Sequence, residues 1–230
     1  LLVPNTKGGA SVPLAQNEKA MEKANPEFYQ IYQQLGQYWG NQPGTSGPVY
    51  VGAFVMLLFV LGLFIVKGPM KWALLAATVL SVLLSWGRNF MWFTDLFLDY
   101  VPMYAKFRTV ASILVIAEFT IPLLAMLALK KVLETENFLK GTTPLLVGPA
   151  SHRLVCREVK NRSWLALSFV LTAGMCVAFA IMPTVFFPDF VSNAELHALA
   201  SIPSEYLTQL ISNLREIRIS IFTADCWRSF

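Results

Sequence analysis

Long apolar runs broken by short polar loops dominate the chain between residues 50 and 187. Four of them, residues 50–66, 72–87, 110–129 and 164–187, approach or reach the roughly 20 residues a helix needs to cross a hydrocarbon core about 30 Å thick. The first carries no charge, and the second holds Trp72 and Trp86 near its ends, where interfacial aromatic belts place tryptophan. The third contains one acid, Glu118, with Pro122 a turn later, and the fourth has Pro183 close to its end. Only Lys67-Gly68-Pro69-Met70-Lys71 joins the first two runs, and a Gly-Pro turn that short makes them an antiparallel hairpin. The pattern predicts an all-α membrane protein with four transmembrane helices plus interfacial amphipathic helices.

The flanks read differently. Residues 1–49 form an external loop with one short amphipathic helix, opened by Asn25-Pro26-Glu27: an N-cap, a proline in the first turn and an acid at the positive end of the dipole. Phe28, Ile31, Tyr32, Leu35 and Tyr38 then recur at helical spacing. After the fourth run, Ser192 and Glu195 have the spacing of a capping box. Leu207, Leu210, Ile211, Leu214, Ile217 and Ile221 make a further apolar stripe, with Arg215, Glu216 and Arg218 on the other face. Residues 188–230 are therefore expected to be an external amphipathic helix, along the interface or over the bundle, leading to a further span.

Composition narrows the class. Of 230 residues, 55% are hydrophobic and only 14% charged, against about 25% charged in ordinary soluble domains. Disorder needs the opposite balance, and three unclustered cysteines make no disulfide framework. The net charge of +4 is a topology signal. Lys67, Lys71, Lys130, Lys131, Lys140, Arg153, Arg157, Lys160 and Arg162 all fall on one side of a four-span arrangement. The positive-inside rule places the loop at 130–163 in the cytoplasm and both ends outside, in the cytoplasmic (inner) membrane. No basic patch interleaved with aromatics points to nucleic acid. The chain starts Leu-Leu-Val-Pro and ends Trp227-Arg228-Ser229-Phe230, which reads as an internal fragment of a larger protein whose remaining spans are its partners.

Candidate chemistry concentrates in residues 86–108, an external segment between the second and third runs. It mixes aromatics with Asp95 and Asp99, four residues apart and so on one helix face, and with Arg88, Lys106 and Arg108. Trp92, Tyr100 and Tyr104 offer flat faces to a sugar ring, and the three cations suit a lipid phosphate. Asp95 and Asp99 are the catalytic candidates on local chemistry alone. The same segment also reads as an interfacial helix anchored by aromatics, its acids and cations paired. Glu118 is the acid inside a span, a position that faces a cavity or a partner. His152 and His197 are isolated, Cys156, Cys176 and Cys226 form no CxxC, and no Walker loop, dinucleotide fingerprint or nucleophile elbow occurs. No metal site and no cofactor is evident.

Particular wording adds a resemblance. Tyr50-Val51-Gly52-Ala53, Gly62-Leu63-Phe64, Lys67 to Trp72, Leu84 to Phe90, Asp95 to Tyr104, Lys106-Phe107-Arg108 and Thr223 to Ser229 together resemble the YfhO family of bacterial multi-pass membrane proteins, as does the opening Leu-Leu-Val-Pro-Asn with Gly8-Gly9. Ala105 and Cys226 depart from the Asn and Ala of that pattern. The resemblance implies a protein of roughly a dozen spans, related to the GT-C class of glycosyltransferases that use a polyprenyl-phosphate-linked sugar to modify cell-envelope polymers. It also implies a catalytic acid in an external loop upstream of this chain, and it leaves room for a divalent metal in the full-length protein. A non-enzymatic lipid or polymer transporter, or a membrane assembly scaffold, is the alternative. A transporter is expected to show repeated halves with broken helices, and only Glu118–Pro122 has that character.

Overall fold

The computed structural model describes residues 1–9, 12–40, 49–101, 104–106, 110–144, 158–200 and 202–229. Helices follow in the order α1 (Glu18–Met21), α2 (Tyr29–Gln34), α3 (Ala53–Ile65), α4 (Met70–Ser85), α5 (Met91–Tyr100), α6 (Leu114–Glu134), α7 (Asn161–Ile181), α8 (Pro183–Phe186), α9 (Asn193–Leu199) and α10 (Ser204–Ser229). Strands β1 (Thr142–Pro144) and β2 (Glu158–Lys160) pair antiparallel, Thr142 opposite Lys160. The described residues are thus mostly helical. They divide into two units, one made of residues 1–50 and 175–230, the other of residues 51–174.

In the first unit the two ends of the chain build one structure. The apolar stripe of α10 supplies Leu210, Leu214 and Ile217, which are buried against Leu14, Ala20, Phe28, Tyr32 and Leu35 of the N-terminal segment. The expected helix start is present: the Asn25 side chain accepts from the Glu27 amide, with Pro26 in the first turn. Asn213 of α10 ties the segment down, accepting from the Tyr32 hydroxyl at 2.6 Å and the Asn25 amide at 3.0 Å and donating to the Lys23 carbonyl at 3.1 Å. A second cluster joins Val3, Trp39, Cys176, Phe190, Phe222 and Cys226. The stripe on α10 therefore meets a partner within the chain, residues 14–35, rather than lying open for an interface.

One residue of α10 departs from its expected place. Arg218, read as part of the polar face, is 0% exposed. Its guanidinium donates to both carboxylate oxygens of Glu195, at 3.0 and 2.6 Å, and to the carbonyls of Phe190 at 2.7 Å and Gly36 at 3.1 Å. It also stands 5.3 Å from the ring centre of Trp39. Burying a charge is costly unless it is paired and hydrogen-bonded, and this one is both. Glu195 closes the expected capping box with Ser192 as well, so one carboxylate organises the start of α9 and neutralises Arg218.

In the second unit α6 packs on α3 and α4. Gly62 makes the approach to α3 close: a Cβ there would stand 3.1 Å from Leu124 and 3.3 Å from Ala128. Small residues let membrane-type helices approach in this way. Thr78 and Thr120 share a buried 2.7 Å hydrogen bond between α4 and α6. Between α3 and α4, Gly68 takes φ +108° and builds the expected Gly-Pro turn. The Lys71 ammonium donates to the Leu63 carbonyl at 2.8 Å, a cation at the negative end of α3.

The apolar runs and the helices coincide in place but not in length. Of the four expected spans, Asn161–Ile181 is the one helix among the described residues that is long and apolar enough to cross a membrane by length and composition, while Ala53–Ile65 and Met70–Ser85 are apolar and shorter. The first run is helical only from Ala53, because Gly52 at φ +101° lies outside the helix and Val66 is extended. Thirteen residues rise about 20 Å. The third run starts its α-helix at Leu114 and continues to Glu134, where Lys130 and Glu134 stand 3.7 Å apart at i,i+4. The fourth run breaks at Met182, because the residue before Pro183 is pushed out of the α region.

Candidate functional site

The segment at 86–106 is built around a line of rings. Phe93 and Phe97, four residues apart, share one side of α5, and Phe90 just before the helix joins their line. Ring centres run from Trp86 to Phe90 at 6.1 Å, Phe90 to Phe93 at 5.7 Å, Phe93 to Phe97 at 5.1 Å and Phe97 to Tyr104 at 5.8 Å. Edge, tilted and offset-stacked contacts of this kind are favourable beyond the area they bury. Thr94 is buried and donates to the Gly87 carbonyl at 3.1 Å or the Phe90 carbonyl at 3.2 Å, which fixes the entry into α5.

The opposite side of α5 carries the chemistry. Trp92, Asp95 and Asp99, at spacings of three and four, share that face, and all three are exposed, Trp92 at 73%. Tyr100 at the end of α5 is 80% exposed. Tyr104 does not join it: half-buried in the line of rings, its phenol is pushed up by burial and stays neutral. Lys106 is exposed, and among the described residues it pairs with neither Asp95 nor Asp99. Among the described residues the two carboxylates thus stand without an ion-pair partner beside an indole face. That arrangement can accept hydrogen bonds from hydroxyls while a ring stacks on Trp92.

The remaining sequence candidates are dispersed. The side chain of Arg88, and Arg108 altogether, lie outside the described residues, as do His152 and Cys156. Glu118 is exposed on α6 beside Phe119 and one turn from Val115, both largely exposed apolar residues. His197 is exposed on α9. Among the described residues no group of three or more His, Cys, Asp or Glu could hold a metal ion. Cys176 and Cys226, far apart in sequence, meet in one core cluster as free thiols. Burial, helped by Cys176 and Asp225 nearby, pushes the Cys226 thiol up to about 12, which makes it inert. Sequence reasoning missed Arg218 and Asp225, both on α10 and both buried. Neither carries a local signal, since each is a charged residue within an otherwise amphipathic repeat.

The fold and site define a predominantly helical protein with a helix of membrane-crossing length and an exposed aromatic-acidic helix. No family model, no curated protein and no solved structure matches the chain.

Proposed function

We propose that the chain is part of a multi-pass membrane protein of the YfhO type, in which residues 86–108 contribute to a site for a polyprenyl-phosphate-linked sugar used in glycosylating an envelope polymer. In this reading α3, α4, α6 and α7 are four spans, the loop at 130–163 is cytoplasmic, and residues 1–49 and 188–230 are outside. Arg88, Lys106 and Arg108 contact the lipid phosphate. Trp92 and Tyr100 face the sugar, and Asp95 and Asp99 supply acceptors for its hydroxyls or for a proton.

The observation that carries the site is the bare face of α5. Two carboxylates and an indole stand exposed together without an ion-pair partner among the described residues, although Lys106 follows within the same segment. Simple charge pairing, the competing reason for cations on the outside, is thus not made by Lys106. Support for the membrane arrangement comes from two sides. The N-terminal segment packs with residues of α9 and α10 in one unit, which supports reading the two on the same side of a bilayer. Large apolar side chains also stand exposed along the helices, among them Phe54 of α3, Phe119 and Met126 of α6 and Val170 of α7. Water would penalise such surfaces and lipid would not.

Alanine substitutions in the full-length protein test the site. Lys106→Ala or Arg108→Ala is expected to abolish envelope-polymer glycosylation while the membrane level of the protein holds. Normal glycosylation in both variants would overturn the site, as would failure that follows only loss of the protein.

A further inference from the structure

An apolar groove of about 550 Å³ lies in the unit formed by residues 51–174. Phe54, Leu57, Leu58 and Leu61 of α3 make one wall, and Leu129 and Val132 of α6 another. Leu165 near the start of α7 adds to the lining, as does the turn from Asn137 to Lys140. That turn stands at the C-terminal end of α3: Phe138 is buried in one cluster with Leu61, Ile65 and Trp164, and Trp164 stacks on Phe64 at 4.5 Å. From Leu61 back to Phe54 the wall runs two turns of helix, about 10 Å, and consists of hydrocarbon and aromatic side chains. The polar side chains of the lining, Asn137 and Lys140, are both in the turn, so the groove is polar at one end and apolar along the rest.

Asn161 fixes what stands beside that polar end. Its side-chain amide donates to the Phe138 carbonyl at 2.9 Å, and its backbone N–H to the Gly141 carbonyl at 2.9 Å, which docks the start of α7 on the turn. Arg162 follows, three residues before Leu165 and so on the side of α7 that reaches the groove. Lys140 and Arg162 are exposed, and neither forms an ion pair among the described residues. The surroundings have the same sign. Residues 130–142 and 158–162, taken with Lys67, hold six cations against three acids.

We propose that this groove binds one anionic membrane phospholipid, with an acyl chain against α3 and its phosphate at Lys140 and Arg162. Each half of the site selects one half of such a molecule. A soluble anion would meet the cations and leave the hydrocarbon wall uncovered, while an uncharged apolar ligand would cover the wall and leave the cations without a counter-charge. The groove suits a chain of methylenes better than a helix about 10 Å across. Arginine in particular matches phosphate oxygens with a planar pair of donors. The proposal rests on the four-span reading in one respect: the basic end then faces the cytoplasmic leaflet, whose lipids are anionic and whose headgroups basic pockets between spans recognise. The groove shares no residue with the segment at 86–108, and its occupant is a bilayer lipid rather than a sugar carrier.

Native mass spectrometry of the whole chain in micelles tests this, with dioleoyl phosphatidylglycerol, dioleoyl phosphatidylcholine, oleate and glycerol 3-phosphate as probes. One phosphatidylglycerol per chain is expected to bind about fivefold or more tightly than phosphatidylcholine or oleate. Glycerol 3-phosphate, the headgroup without chains, is expected not to displace it. Lys140→Gln combined with Arg162→Gln should remove the preference for phosphatidylglycerol. Lys67→Gln combined with Lys131→Gln takes the same charge from a separate cavity at that end and should retain it. All four positions are exposed, so the fold is expected to hold. The proposal is overturned if phosphatidylglycerol is not preferred, if oleate binds as tightly, if glycerol 3-phosphate displaces the lipid, or if the two double variants behave alike. Binding in micelles does not depend on which way the chain crosses a bilayer, whereas maleimide labelling at position 140 reads that orientation alone. Failure of the lipid site and failure of the four-span orientation are therefore separate results.

Discussion

Arg218 and Glu195 form a two-pronged ion pair inside the first unit, with guanidinium nitrogens 3.0 and 2.6 Å from the two carboxylate oxygens. The pair joins α10 to the start of α9, and the same two terminal guanidinium nitrogens also reach the backbone carbonyls of Phe190 and Gly36. Its geometry is that of the strong class of charge-assisted bonds, and Trp39 shields it from above. Three separated stretches of chain thus converge on one side chain.

Breaking this pair from one side leaves a buried charge without compensation. Glu195→Gln is expected to cost about 3–5 kcal/mol of unfolding free energy, the usual result of removing one partner. The double variant Arg218→Met, Glu195→Met is expected to recover part of that loss. Denaturant unfolding followed by tryptophan fluorescence measures both, and equal losses in the single and double variants would contradict the assignment.

Asn213 is the second fastening of the N-terminal segment. Asn213→Ala removes the acceptor shared by the Tyr32 hydroxyl and the Asn25 amide. Losses of about 1–3 kcal/mol accompany a buried polar group left unsatisfied. Limited proteolysis should show faster cutting within residues 1–40 in the variant, with cleavage in the second unit unchanged.

Asp225 makes a pH-dependent contribution whose sign can be worked out. Its folded pKa is raised above 3.8, chiefly by burial. Between the ordinary value and the raised one, the folded protein holds a proton that the unfolded chain has lost. Stability from this group therefore falls as pH rises through that window and levels off above it. The stability of Asp225→Asn relative to the native chain is expected to grow over the same window, starting near 3.8, and then to stay constant. Urea midpoints at a series of pH values check this, and a difference that shrinks as pH rises would reverse the sign.

Gly62 sets the distance between α3 and α6. A Cβ at that position would press on Leu124 and Ala128 at 3.1 and 3.3 Å. Gly62→Ala requires a shift of a few tenths of an ångström, whereas Gly62→Leu must push the helices apart. Overpacking of this kind costs about 1–3 kcal/mol. Thermal unfolding in micelles should rank native, Ala and Leu in falling order, and a Leu variant as stable as the native chain would show that the close approach is dispensable.

Topology is open to a direct measurement. In a chain with Cys156, Cys176 and Cys226 replaced by serine, a cysteine at Gln33 is expected to react with a membrane-impermeant maleimide from outside intact cells. One at Lys140 is expected to react only after permeabilisation. The opposite pattern would overturn the proposed orientation.

Local signals in the chain determined a good part of this protein. The apolar runs located α3, α4, α6 and α7, since a helix that buries or exposes apolar surface all round needs no partner to be recognised. Asn25-Pro26-Glu27 and Ser192 with Glu195 marked helix starts, because caps are built from residues within one turn. The spacing of Asp95 and Asp99 placed them on one face of α5 for the same reason.

Only the tertiary structure decided what happens between distant residues. It brought the stripe of α10 onto the N-terminal segment, buried Arg218, and gathered Asn5, Gln37 and Asp225 around one cavity. It also shortened the first run, through the positive φ of Gly52, and took Tyr104 out of the exposed aromatic face. Periodicity states which side of a helix is apolar but not what covers it. A buried charge such as Arg218 is tolerated only when Glu195 and two carbonyls meet it, and those partners come together by packing across long stretches of chain.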